Sequence, residues 1–245
     1  TALHRDALAM ELLDAPGCLP IPPAPGPPQP PVARRVAVYG DSVGLTLGWY
    51  ANEAVTNRAT YVGGDQRLGC GIGRGGWRWH EGTVGALEGC KDIYADWSAD
   101  ARLHHAEVAV VYAGPWDTLL RLIPGDTRWR SLGDPVYDNY LLGEMLVATD
   151  TLTAAGVRDV VWVVPPPMII SAHDLATSTQ RAYAWRDLVD WVAYLRPGVV
   201  TIADQWAWTG PRGEDAQIRP DGVHFSRDGS VYTWRAWLLD VVLAA

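Results

Sequence analysis

The chain has 245 residues, of which 48% are hydrophobic and 20% are charged, and this balance predicts a globular protein with a large core. Its net charge is −8, and the sequence contains no cluster of Lys and Arg that could neutralise a phosphate backbone. We therefore expect no nucleic-acid partner, and we expect small molecules or neutral glycans as ligands instead.

The first 33 residues are predicted to form an N-terminal segment and linker outside the main domain. The stretch PGCLPIPPAPGPPQPPVA, which ends at Ala33, is too rich in proline for a helix or a central strand. It predicts a semi-rigid tether of the polyproline type. The preceding TALHRDALAMELLD is compatible with a short helix. Residues 34–245 are then expected to form the main domain.

From Arg34 onwards, strand and helix patterns alternate. The predicted strands are Arg35–Tyr39, Ala59–Val62, Glu107–Tyr112, Asp159–Val164 and Val199–Ile202. The predicted helices are Val43–Val55, Val136–Ala155, Thr177–Leu195 and Gly229–Leu243. Five strands separated by helices predict an α/β fold with a doubly wound parallel sheet. Ligands are expected beyond the C-terminal ends of its strands.

Cys70 and Cys90 bracket a loop rich in Gly and Trp, CGIGRGGWRWHEGTVGALEGC. Its irregular backbone would gain from a crosslink, so a disulfide between the two is expected, which implies an oxidising, extracytoplasmic setting. Two buried thiols are the alternative. Three cysteines without CxxC spacing match no zinc pattern, and we expect no metal.

Gly40-Asp41-Ser42 stands where the first strand meets the first helix. One interpretation is that Asp41 or Ser42 caps the helix by accepting a hydrogen bond from its first turn. The other is that Ser42 is a nucleophile at the C-terminal end of a parallel strand. The second interpretation requires a general base elsewhere in the chain.

A partner for Ser42 occurs near the other terminus. In Asp221-Gly222-Val223-His224, the acid and the histidine are three residues apart, just before the final helix. One loop can then hold both, with the carboxylate orienting the imidazole and the second ring nitrogen facing the serine. A polar turn with a satisfied histidine is the alternative for this motif taken alone.

With Gly40-Asp41-Ser42 as its first block and Asp221-Gly222-Val223-His224 as its last, the chain resembles the SGNH (GDSL) hydrolase superfamily over about residues 34 to 245. The resemblance implies a flavodoxin-like three-layer α/β/α sandwich. It also implies that Ser42 is the nucleophile, His224 the base and Asp221 the residue that orients it. No cofactor is expected.

The resemblance further implies an oxyanion hole of three hydrogen-bond donors. The first is the backbone N–H of Ser42, and the second is a glycine N–H after the second strand. Gly71 fits this second position, although Gly69 and Gly73 compete with it.

The third donor departs from the family pattern. The family has a Gly-x-Asn-Asp turn after its third strand, whereas this chain reads Gly114-Pro115-Trp116-Asp117. Trp116 therefore stands where asparagine is expected, and it is open whether it supplies an indole N–H, forms a wall of the acyl pocket or packs in the core. The residues expected to contact substrate are Asp41, Trp116, Asp117 and Val223.

A narrower likeness comes from the Gly-Pro-Trp-Asp turn, the Gly-Cys-Gly sequence and the proline-rich tether. They are similar to the SGNH domains that follow an integral-membrane acyltransferase domain in bacterial cell-envelope O-acylation proteins. This likeness implies that Ser42 takes an acyl group, commonly acetyl, from a donor and passes it to a carbohydrate hydroxyl. It also implies an extracytoplasmic location and a membrane acyltransferase domain before residue 1 of the parent chain.

Two other functions remain open at this point. A carbohydrate or acetyl esterase would share the acyl-serine intermediate and use water as the acceptor. A glycan-binding or regulatory module with a degenerate site is the alternative outside enzymology, because the expected asparagine is missing. The tryptophans that a sugar platform would need are loop candidates in the sequence, namely Trp77, Trp79, Trp206 and Trp208.

Overall fold

A computed structural model describes residues 33–168 and 175–245 of the chain. The predicted tether and the short helix before it lie outside these residues, so the boundary near Ala33 stays a prediction.

The strands of the structure are β1 (Arg34–Gly40), β2 (Ala59–Gly63), β3 (Trp77–His80), β4 (Thr83–Ala86), β5 (Val108–Tyr112), β6 (Leu120–Leu122), β7 (Asp159–Val164) and β8 (Val200–Asp204). A five-stranded parallel sheet forms the centre of the domain, in the order β2-β1-β5-β7-β8. The five strands predicted from the sequence are those of this sheet, and the predicted α/β fold class is confirmed.

Helices connect the strands. They are α1 (Ser42–Trp49), α2 (Ala51–Ala54), α3 (Ile93–His104), α4 (Pro135–Ala154), α5 (Leu175–Leu195), α6 (Gln205–Thr209), α7 (Asp215–Ile218), α8 (Arg227–Thr233) and α9 (Leu239–Ala244), with a π-helical segment, Trp234–Leu238, joining the last two. The single helix predicted over Val43–Val55 is wrong in one respect. It breaks at Tyr50, whose φ of −109° and ψ of 11° leave helical geometry.

The two faces of the sheet bury separate apolar cores, which makes the domain three-layered. Alternate residues of β1 point to opposite faces, as strand geometry requires. On one face, α3, α4 and α5 contribute residues such as Trp97, Met145 and Val189. On the other, α1 and the C-terminal helical run contribute Leu47 and Trp234. Helix α1 and the C-terminal helical run therefore pack side by side, which the site described below requires.

A second, antiparallel sheet, β4-β3-β6, lies in the segment bracketed by the two cysteines and in the turn after β5. β3 and β4 form a hairpin around Glu81-Gly82, whose φ angles of 48° and 79° are those of a two-residue turn. The prediction that Trp77, Trp79, Trp206 and Trp208 lie in loops is therefore wrong, because the first two belong to β3 and the other two to α6.

Candidate active site

Ser42 is the first residue of α1, directly beyond the C-terminal end of β1. The preceding Asp41 has extended backbone geometry and caps the helix, because its Oδ1 accepts a hydrogen bond from Val43 N at 2.9 Å. The cap and the candidate nucleophile are thus adjacent residues. Ser42 itself is half-buried.

The loop before α8 is held against α1 by its own hydrogen bonds. Asp221 Oδ1 accepts from Val223 N at 2.8 Å and from His224 N at 2.7 Å, which closes a tight turn. The next N–H, that of Phe225, donates to Thr46 Oγ1 of α1 at 3.2 Å. The turn thus sets the backbone before His224, and the Phe225 contact ties the backbone after it to the helix that begins with Ser42.

These contacts bring three predicted residues together. His224 Nε2 lies 2.9 Å from Ser42 Oγ, and His224 Nδ1 lies 2.8 Å from Asp221 Oδ2. Because an ionised carboxylate only accepts hydrogen bonds, Nδ1 is assigned the ring proton. Nε2 is then free to accept the proton of the Ser42 hydroxyl. Residues 182 positions apart in the chain thus form the hydrogen-bonded chain of a serine, a base and an acid.

The charge on Asp221 is favoured by its partners. Burial works against the ionised form, but the hydrogen bonds from the His224 ring and from the N–H groups of His224 and Val223 outweigh it, so the pKa of Asp221 lies below its usual value. The side chains of Asp221 and His224 are 56% and 41% exposed. A substrate can therefore reach the imidazole from solvent.

Asp41 does not face the substrate, and the prediction that it does is wrong. Its side chain is fully buried, and its second oxygen, Oδ2, accepts from Gly114 N at 2.9 Å. A Cβ at Gly114 would lie 2.3 Å from that oxygen, so only glycine allows this approach. Burial raises the pKa of Asp41 to about 7, although the two N–H donors partly offset the effect. Asp41 therefore joins the segment between β1 and α1 to the turn after β5.

Asp117 was also expected to contact substrate, and this too is wrong. Its carboxylate is fully buried and accepts hydrogen bonds from Ile72 N at 2.6 Å, Gly73 N at 3.0 Å and Arg121 Nη1 at 3.1 Å. A Cβ at Gly71 would lie 2.4 Å from Asp117 Oδ1, so the glycine loop passes directly over this carboxylate. The role of Asp117 is to hold two loops together.

Val223 and Trp116 differ from each other in exposure. Val223 is only 7% exposed and packs in the core beneath the sheet, and its expected contact with substrate stays a prediction. Trp116 is half-buried, and the guanidinium of Arg78 lies 4.1 Å from the centre of its ring. The assignment of Ser42, Gly71 and Trp116 as oxyanion donors stays a prediction.

The structure joins Cys70 to Cys90 in a disulfide, at the pair that the sequence singles out.

The structure also shows a residue that sequence reasoning missed. Arg121 is fully buried and donates to Asp117 Oδ1 and to Gly73 O, at 3.1 and 2.7 Å. The i,i+4 spacing of Asp117 and Arg121 was a signal for this pair.

No protein-family model and no curated protein matches the sequence significantly. Among solved structures, the chain is similar to a GDSL-like lipase from Bacteroides thetaiotaomicron, with 14% identity, a TM-score of 0.54 and coverage of 85% of this chain and 87% of that one. An acetylxylan esterase from Geobacillus stearothermophilus is 13% identical, with a TM-score of 0.54 and coverage of 86% and 95%. A lipase/acylhydrolase from Enterococcus faecalis is 12% identical, with a TM-score of 0.52 and coverage of 86% and 94%.

At sequence identities this low, the structural likeness establishes the fold alone. The sheet order, the two flanking helix layers and these likenesses together show that the chain has the three-layer α/β fold of the GDSL (SGNH) hydrolases.

Proposed function

We propose that this protein is a serine-dependent acyl-transfer enzyme of the SGNH type, acting on ester-linked acyl groups, mainly acetyl, of carbohydrate hydroxyls. The observation that carries the proposal is the chain of contacts from Ser42 Oγ through the His224 ring to Asp221, at 2.9 and 2.8 Å. These are the distances at which a nucleophile can give its proton to a base.

The chemistry follows from that geometry. Ser42 Oγ attacks the carbonyl carbon of an acyl ester while its proton passes to His224 Nε2. Asp221 stabilises the imidazolium that forms, and backbone donors near the start of α1 stabilise the oxyanion. Collapse of the tetrahedral intermediate breaks the ester bond, and the leaving alcohol takes the proton from Nε2. The acyl group then remains on Ser42.

The second half-reaction decides between two activities. If a carbohydrate hydroxyl attacks the acyl-serine and gives its proton to His224, the enzyme is an O-acyltransferase; if water attacks, it is an esterase. We propose the transferase, with an acyl donor and a glycan acceptor of the cell envelope. The sequence likeness of the Gly114–Asp117 turn supports it, and the exposure of His224 leaves room for a bulky acceptor. The esterase is favoured by the likeness to an acetylxylan esterase, which shares the sugar-ester linkage.

An extracytoplasmic location belongs to the same proposal. The disulfide between Cys70 and Cys90 supports it, since such bonds persist in oxidising compartments. Within residues 33–168 and 175–245, no helix is both long enough and apolar enough to cross a membrane. A membrane acyltransferase domain in the parent chain is part of this proposal as well.

The test is an acetyl-ester assay with product analysis. Wild type should release p-nitrophenol from p-nitrophenyl acetate, and Ser42→Ala should not. With an oligosaccharide present, acetylated sugar supports the transferase, while acetate alone supports the esterase. Wild type as inert as Ser42→Ala, with the sugar still bound, would instead indicate a glycan-binding module.

A further inference from the structure

A cavity of about 310 Å³ lies between the β3–β4 hairpin and the turn after β5. The residues around it are Arg78, His80, Glu81, Thr83, Gly85 and Trp116. None of these residues takes part in the acyl-transfer steps described above, except that Trp116 is a predicted oxyanion donor.

The hairpin register explains why these residues share one side. Arg78 is paired with Gly85, and His80 with Thr83, across the antiparallel ladder. Directly paired residues lie on the same face of a sheet, so all four face the cavity, while the alternate residues, including the exposed Trp77, face away. Because Gly85 has no side chain, the space opposite Arg78 stays open.

Arg78 brings a positive charge to this cavity without a matching acid. Its Nη1 donates to Gly69 O, and its guanidinium stacks on the Trp116 ring. Among the described residues, no carboxylate lies within salt-bridge distance of it, and Glu81 is exposed at the tip of the hairpin. Burial and the nearby charge of Arg121 both lower the pKa of Arg78. A bound anion would supply the opposite charge that favours the ionised guanidinium and would offset the repulsion from Arg121.

The same wall contains two nitrogens that lack partners. Trp116 Nε1 and His80 Nε2 are buried and make no hydrogen bond within the described part of the chain. The rings themselves meet edge to face, with their centres 5.7 Å apart. Unsatisfied buried polar groups are rare and costly in proteins, and two of those in the described residues belong to side chains that line this cavity.

Two chain segments connect this cavity to the candidate active site. Trp116 lies two residues after Gly114, which is hydrogen-bonded to Asp41, the neighbour of Ser42. On the opposite side, Gly69, which binds Arg78, is two residues before Gly71. Both segments predicted to complete the oxyanion hole therefore lead to side chains around this cavity, through Trp116 on one side and through the Gly69–Arg78 contact on the other.

We propose that this cavity is a subsite for the carboxylate of an acidic sugar, a uronic acid, in the carbohydrate substrate. The inference rests on the proposed function and adds a substrate class to it. A guanidinium with one edge still free matches a carboxylate in two parallel hydrogen bonds, and the stacked tryptophan keeps that edge in place. A neutral sugar would leave Arg78 uncompensated.

The kinetic test compares acetylated methyl glucuronoside with acetylated methyl glucoside. Wild type should prefer the uronate, and Arg78→Gln should lower the ratio of the two kcat/KM values about tenfold, through KM, as expected for the loss of a charge-assisted pair. Gly85→Val, which fills the cavity and keeps the charge, should lower the same ratio. Arg212→Gln is the matched control, because Arg212 also lies over a tryptophan ring, that of Trp208, away from this cavity. It should keep the wild-type ratio.

A binding test separates this proposal from the catalytic one. The Ser42→Ala protein, which retains Arg78, should bind methyl glucuronoside at least tenfold more tightly than methyl glucoside in ligand-observed NMR. Equal binding of the two sugars, or a kinetic ratio unchanged in Arg78→Gln, overturns the subsite. If wild type is catalytically inert but the protein still binds methyl glucuronoside more tightly than methyl glucoside, the acyl-transfer proposal is overturned and the subsite stands.

Discussion

Replacing Arg121 with Met tests whether the buried Asp117–Arg121 pair holds the glycine loop to the turn after β5. Both side chains are completely buried, and Arg121 also donates to Gly73 O at 2.7 Å. Met preserves much of the volume and removes the charge. Asp117 then remains buried without its counterion, and removing one partner of a buried pair costs about 3–5 kcal/mol.

The assay is equilibrium unfolding in urea with the disulfide intact. Arg219→Met is the matched control, because Arg219 is equally buried whereas its partner Asp215 is 32% exposed and can be rehydrated. We expect the free energy of unfolding to fall by about 3–5 kcal/mol in Arg121→Met and by distinctly less in the control. The double variant Asp117→Asn/Arg121→Met should be less destabilised than the sum of its single variants by at least about 0.5 kcal/mol. A loss below about 1 kcal/mol in Arg121→Met, or strict additivity, would refute the reasoning.

Three further predictions concern the same loops. Reducing the Cys70–Cys90 disulfide, which spans 20 residues, should lower the free energy of unfolding by about 3 kcal/mol in urea titrations; an unchanged midpoint would contradict this. Gly71→Ala places a Cβ 2.4 Å from Asp117 Oδ1 and should lower the free energy of unfolding, measured by thermal unfolding, by about 1–3 kcal/mol. The control Gly89→Ala, with no atom within 4 Å of its Cβ, should change it by no more than about 0.5 kcal/mol. Equal losses in the two variants would contradict this prediction. Because burial raises the pKa of Asp41 from 3.8 to about 7, the folded state holds its proton over that range, and this residue's contribution should make the protein less stable as the pH rises from about 4 to 7. The slope of unfolding free energy against pH should therefore be less negative in Asp41→Asn, and identical slopes would argue against a buried, protonated Asp41.

The parallel sheet could be predicted from the sequence because its strands are buried on both faces and read as continuous apolar runs, as in DVVWVV of β7. The hairpin was missed because its strands are short and lie among glycines, although WRWH and TVGA flank a two-residue turn at Glu81-Gly82. Helix α3 was also missed, despite buried residues at helical spacing such as Ile93, Trp97 and Ala101.

In the candidate site, the sequence could pair Ser42 with His224 because their chemistry is specific and the fold brings strand ends to one edge. It could not distinguish an acid that faces a ligand from one that holds a loop. Asp41 and Asp117 are both at strand ends, and only the positions of the N–H groups around them show that each is a structural acceptor. The roles of Arg78 and Arg121 could not be predicted either, because they depend on contacts with residues distant in the chain, such as Trp116 for Arg78 and Gly73 for Arg121.

The most direct test of the central claim is covalent labelling with a serine-directed fluorophosphonate, located by mass spectrometry of peptides. The account predicts one adduct, on Ser42, and labelling at least about a hundredfold slower in His224→Ala, because the base no longer takes the hydroxyl proton. Labelling at another residue, or an equal rate in the two proteins, would contradict it.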